Sequence, residues 1–186
     1  NSILGVNFLG NHIHLIAFPV AVIYKMFPHP LTLLFLQSLA LGLGAYPLFM
    51  IARNVLGASW ALTLAAAYLL YPALGYVNVF EFHFTPFATL SLLFMLYFFH
   101  FKRYAGFIFA TIVTLICQEN LSLAIFSFAF YALLLKRSLR WWLPLLIGGV
   151  AYFLLCIKIL LPAFHQDSLQ FISIYQHWGH GYGEII

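Results

Sequence analysis

The feature that most limits what this chain can become is its series of unbroken apolar runs, each close to the length of a bilayer crossing. A helix needs about 20 apolar residues to span roughly 30 Å of hydrocarbon. Runs of that kind, bounded by Lys, Arg, Pro or polar clusters, cover Leu31 to Ala52, Ser59 to Phe80, Phe84 to Phe101, Tyr104 to Leu135 and Trp141 to Leu161. Lipid offers backbone N–H and C=O groups no partners, so the spanning elements are helices or a closed barrel. The runs are continuous instead of alternating with period two, which selects helices. Composition agrees: 65% of the residues are hydrophobic and 6% charged, against about 25% charged in soluble domains. The expected fold is therefore all-α, a polytopic transmembrane helical bundle.

Charge places the ends of these helices. Arg53, Lys102, Arg103, Lys136, Arg137 and Arg140 can all be cytoplasmic at once under the positive-inside rule. This holds only if Tyr104 to Leu135 is a hairpin turning at Gln118-Glu119-Asn120, because basic residues close both of its ends. Six spans result, starting outside before Leu31. The same topology sends every acid, Glu81, Glu119, Asp167 and Glu184, to the outer side, and seven of the eight histidines with them. Acidic residues contribute little to the rule, so their segregation is a separate observation. The net charge of +4 does not point to nucleic acid, because the cations are sparse, flank apolar runs and form no stripe.

The stretch from His12 to Phe27 is short for a span and carries Pro19 in its middle, which suits a juxtamembrane helix on the outer side. Residues 1–30 are thus expected as an outer juxtamembrane segment, 31–161 as six spans and 162–186 as an outer loop, in one transmembrane domain. The chain lacks an initiator Met and the charged start and cleavage site of a signal peptide, and reads as an internal stretch of a longer protein. Cys117 and Cys156 fall within apolar runs and read as small buried hydrophobes.

Glu119 is the sharpest single feature. The arm from Tyr104 to Cys117 has 14 residues, about 21 Å of helix, so the turn after it sits below the outer surface. A carboxylate at that depth pairs, lines a watery cavity or acts. Glu81 and His83 share an i, i+2 spacing that points both side chains the same way in an extended connection, and His12 and His14 repeat it. These four form a candidate divalent-cation site, histidine being a frequent metal ligand. A polar turn and ordinary loop residues are the plainer readings of the same positions. Trp141 and Trp142 beside Arg140 read as an interfacial belt, and Gly42, Gly44 and Ala45 as close helix packing.

The chain resembles a family of predicted prokaryotic membrane proteins related to the GT-C class of glycosyltransferases. The residues that carry the resemblance are Gly10-Asn11-His12, Pro28-His29-Pro30-Leu31-Thr32-Leu33, Leu36-Gln37-Ser38-Leu39-Ala40-Leu41, Gly44-Ala45-Tyr46-Pro47-Leu48 and Ala52-Arg53. They continue through Tyr68-Leu69-Leu70-Tyr71-Pro72-Ala73-Leu74, Glu81-Phe82-His83 and Gln118-Glu119-Asn120. The resemblance implies a polyprenyl-phosphate sugar as donor and a catalytic carboxylate in the first outer loop, which would fall before Asn1. Two positions depart from the family pattern: Asn11 stands where Asp is frequent, and Gln118 where Lys is frequent. A donor phosphate wants a cation nearby, and only Lys25 and Lys158 are placed to serve on the outer half.

Together these features lead us to expect a glycosyltransferase-like integral protein of a prokaryotic plasma membrane, its acidic and histidine face extracytoplasmic. Glu81, Glu119 and His83 are the expected catalytic groups. His12, His14, Asn11, Gln118 and Lys25 are the expected substrate contacts, and a divalent cation is the candidate cofactor. Two alternatives stand beside this: a transporter or channel whose pathway runs through Glu119 and the histidines, and a non-catalytic membrane subunit with the same fold.

Overall fold

Prolines set the starts of several helices. Pro30, Pro72 and Pro86 each stand in a first turn, where the missing N–H costs nothing and the fixed φ is already helical. The computed structural model describes residues 12–164. Along them run α1 (Ala17–Met26), α2 (Pro30–Leu43), α3 (Ala45–Leu56), α4 (Ala58–Leu69), α5 (Pro72–Val79), α6 (Thr85–His100), α7 (Tyr104–Cys117), α8 (Leu121–Leu134) and α9 (Leu139–Leu155). A π-helical turn, Cys156–Leu160, joins α9 to α10 (Leu161–Phe164). The described residues contain no strand.

Helices α2 and α3 form one apolar helix of 27 residues, Pro30–Leu56, and α9 continues to Phe164 as one of 26. These two are long and apolar enough to cross a bilayer. The expected span from Ser59 to Phe80 is broken: α4 and α5 meet at a 40° bend. Pro72 causes it, since a proline removes a helical N–H and pushes the residue before it out of the α region. Tyr71 is accordingly extended, at φ −64° and ψ 120°. If that bent pair counts as one crossing, three helices have spanning length and composition. Helices α6, α7 and α8, of 16, 14 and 14 residues, are apolar but only about 21 to 24 Å long.

The chain folds back between α3 and α4, between α6 and α7 and between α8 and α9, where the neighbouring helices pack on one another. Helix α6 packs along α7 and α8 along α9, and α2 and α3 pack on α6. The main core lies between the two hairpins, where Met95, Phe99, Phe107, Ile125, Trp141 and Leu145 are buried. Many large apolar side chains face outward instead, among them Phe35, Trp60, Phe109, Leu134 and Ile147, as helices require where lipid is the solvent.

Cross-contacts fix which connections share an end. At one end His100 Nε2 lies 2.8 Å from Asn54 Oδ1, and Arg137 Nη2 donates to the Phe99 carbonyl at 3.3 Å. That end holds Arg53, Lys102, Arg103, Lys136, Arg137 and Arg140. At the other end Ile16, Phe82, Phe84, Cys117 and Leu121 pack together, next to His12, His14, Glu81, His83 and Glu119. Among the described residues the two acids, Glu81 and Glu119, thus lie at the opposite end from these six cations.

Candidate functional site

The acidic end is built around the turn between α7 and α8. A helix leaves its last carbonyls without partners, and here residues 12–16 supply them. The Ile16 N–H donates to the Ile116 carbonyl at 2.9 Å, and His14 Nδ1 donates to the Cys117 carbonyl at 2.6 Å. The i, i+2 spacing of the two histidines then brings His12 to the next turn residue. Its Nδ1 lies 2.6 Å from Glu119 Oε1. The other carboxylate oxygen, Oε2, accepts the Ile13 N–H at 2.8 Å. Glu119 is 7% exposed, and its own carbonyl accepts from the Ser122 hydroxyl.

Both oxygens of Glu119 are therefore engaged by the chain itself. A buried carboxylate needs such partners, because desolvation is otherwise too costly. The pairing works back on His12, whose pKa is raised above the ordinary histidine value: the Glu119 hydrogen bond contributes most, burial opposes it, and the carboxylate's charge adds to the rise. His14 moves the opposite way, chiefly because burial disfavours its charged form. Gln118 Nε2 is 3.4 Å from His12 Nδ1, a contact and not a strong bond, since that nitrogen already gives its proton to Glu119.

The second half of this end is the connection between α5 and α6. Glu81 is exposed, with 76% of its side chain accessible, and its Oε1 lies 3.7 Å from His83 Nε2. The His83 ring stacks on Phe80, with centroids 5.4 Å apart and planes at 15°, and its Nδ1 is buried without a hydrogen-bond partner. What holds this connection is Gln37 of α2, which is completely buried. Its amide nitrogen donates to the Val77 and Asn78 carbonyls at 3.1 and 3.3 Å. Its amide oxygen accepts the His83 N–H at 2.9 Å. Beside it, the Ser38 hydroxyl donates to Asn78 Oδ1 at 2.7 Å.

Gln37 has no role in the sequence reading, although a lone amide inside an apolar run is a signal of an intramembrane polar contact. The two halves meet through aromatic rings. His14 packs on Phe84 with centroids 5.1 Å apart, and Phe82 and Phe84 bury against Cys117 and Ile116.

The structure thus gathers His12, His14, Gln118 and Glu119 into one cluster and sets Glu81 and His83 beside it. It does not assemble the four-residue cation site. His12 and His14 turn toward the end of α7, His83 is held through Gln37 and Phe80, and Glu81 points outward. Among the described residues no three His, Cys, Asp or Glu side chains gather closely enough to hold a metal ion. Lys25 is exposed in the last turn of α1, the far end of that helix from His12 and His14. Lys158 is exposed within the π-helical turn. Asn11, Asp167, Glu184 and the histidines after Phe164 lie outside the described residues.

The family model described as a predicted membrane protein, DUF2079, matches residues 1–186. No curated protein and no solved structure matches the chain significantly.

Proposed function

The chain belongs to the DUF2079 family of predicted membrane proteins, and from that premise we propose that it is a six-span, GT-C-like glycosyltransferase whose acidic end faces the outside. In this reading α6, α7 and α8 complete the crossings begun by the longer helices, and a locally thinned bilayer accommodates their length. The donor is a polyprenyl-phosphate sugar and the acceptor carries a hydroxyl.

One observation carries the assignment of roles: the two carboxylates of the acidic end have opposite environments. Glu119 is buried with both oxygens occupied, whereas Glu81 is open and has His83 beside it. Glu119 is therefore the positioning group, and Glu81 the reacting one. The acceptor hydroxyl attacks the anomeric carbon and gives its proton to Glu81. The bond from that carbon to the phosphate oxygen breaks, and polyprenyl phosphate leaves with the electron pair. His83 steadies the developing charge, and Lys158 is the cation best placed along the outer half of the last long helix for the phosphate. General-base help of this kind contributes about 10²–10⁴-fold.

The broken helix formed by α4 and α5 favours a second reading, since discontinuous helices line the substrate path in many transporters. One experiment separates the two. The protein is reconstituted in liposomes and assayed for sugar transfer from a polyprenyl-phosphate donor and for proton or cation flux. We expect transfer by the parent and a drop of at least about 100-fold in Glu81→Gln, with its melting temperature unchanged. A parent that transfers no sugar but conducts an ion flux lost in Glu119→Gln establishes the transporter instead.

A further inference from the structure

We infer that the basic end carries a binding surface for the headgroups of anionic phospholipids, formed by two matching Lys–Arg turns. The surface lies opposite the proposed reaction site and does not depend on it. Helices α6 and α8 end in the same way. Each has a lysine in the left-handed region, Lys102 at φ 57° and Lys136 at φ 51°, followed by an arginine. In the first turn the Arg103 N–H donates to the Phe98 carbonyl at 2.8 Å and the Lys102 N–H to Phe99 at 3.3 Å. In the second the Arg137 N–H donates to Ala132 at 3.1 Å and the Lys136 N–H to Leu133 at 2.8 Å. This is the Schellman pattern, whose left-handed position is usually glycine because a Cβ is disfavoured there. Both turns keep lysine at that position in spite of the conformational cost, and an observed backbone outlier of this sort points to a use for the side chain.

The tertiary structure joins the two turns. Arg137 is the member spent on structure: its guanidinium lies 4.7 Å from the Phe99 ring centre and 5.8 Å from that of Trp141 and bonds the Phe99 carbonyl. Arg140 lies over Tyr104 at 5.6 Å, at the start of α7. Lys102, Arg103, Lys136 and Arg140 are left exposed around this aromatic floor.

No ion pair among the described residues involves any of them, since both such pairs lie at the acidic end. Exposed Leu134, Leu135 and Leu139 flank the second turn. Four cations with no acidic partner among the described residues, edged by apolar side chains, match a phosphodiester headgroup with acyl chains below it, whereas a free phosphate would gain nothing from the leucines. Basic clusters at the ends of membrane helices attract anionic lipid at about fivefold per charge.

The test uses the whole chain in a neutral detergent, titrated with short-chain phosphatidylglycerol, with phosphatidylcholine of the same chain length, and with inorganic phosphate, following melting temperature and lipid adducts by native mass spectrometry. Phosphatidylglycerol is expected to bind saturably and raise the melting temperature, and the other two to do neither. The double variant Lys102→Gly with Lys136→Gly removes two charges while giving each turn the residue its backbone favours. It should melt no lower than the parent without lipid, yet lose roughly 30-fold of the preference for phosphatidylglycerol over phosphatidylcholine. Arg140→Gln, which leaves both turns intact, should lose about fivefold. Equal binding of the two lipids, an equal effect of phosphate alone, or an undiminished preference in both variants overturns the inference.

Discussion

Glu119 shows how one side chain settles its own role through its partners. A sequence with a single acid between two apolar arms flags that position as important, and the short arms put it below the surface. The plainer reading, a polar turn, and the sharper one, an active acid, are separated only by the contacts of residues 12–16. Ile13 and His12 take both oxygens, so the group anchors the entry of the chain onto the α7–α8 turn. Glu119→Ala should cost about 3 kcal/mol, because it strips a buried pair and leaves the Ile13 N–H without a partner. The pair also carries a pH signature. His12 has a raised pKa, with Glu119 on one side and the His14 ring 5.7 Å away on the other. A raised histidine pKa gives stability that is complete below the ordinary value of about 6.5 and is lost as pH rises through the folded value. The melting temperature of the parent should therefore fall toward that of Glu119→Ala as pH rises above about 6.5. A difference that stays constant over this rise would show that His12 contributes no charge to the clamp.

The helices themselves follow from local rules, but their approach distances do not. Pro72 bends the α4–α5 pair where the chain otherwise reads as one run, and Gly44 marks the joint between α2 and α3, where the Tyr68 hydroxyl donates to the Leu41 carbonyl at 3.0 Å. Between α8 and α9 the decisive residue is Gly149. A Cβ placed there would come within 2.9 Å of the Ser122 carbonyl oxygen and 3.1 Å of the Phe126 nitrogen. These are backbone atoms, which cannot swing aside. Small residues allow such close approach between membrane helices. Gly149→Ala should then destabilise by about 1–3 kcal/mol. Its neighbour Gly148 meets nothing within 4 Å, so Gly148→Ala should be neutral or gain up to about 1 kcal/mol of helix propensity. Thermal unfolding of the two variants checks both, and equal effects would mean that α8 and α9 do not pack at the observed distance.

At the scale of the molecule, polarity along the helix axes organises everything else. Six of the eight basic residues sit at one end, and the buried and open carboxylates at the other, so any site for a polar substrate and any site for anionic lipid are held apart by the apolar body. The arrangement predicts sidedness. With Cys117 and Cys156 replaced by alanine, single cysteines at Asn120 and Ser138, both exposed, should react with an impermeant thiol reagent from opposite faces of the membrane. Labelling of both from the same face would remove the six-span topology and with it the outer placement of Glu81.

Much of this was legible before any contact was known. The apolar runs, the hairpin turn at residues 118–120 and the division of charge all depend on neighbours in sequence or on the solvent, and these are written locally. Gln37 was not legible as a clamp, because its partners Val77, Asn78 and His83 lie some forty residues on. Nor was the division of the expected cation site into two differently held pairs. The sequence by itself determined that the chain is helical, apolar on its outside and charged unequally at its ends, because each follows from hydrophobic length and backbone hydrogen bonding. Only the tertiary structure decided which carboxylate is locked and which is open, because that depends on hydrogen bonds spanning more than a hundred residues, which no local pattern encodes.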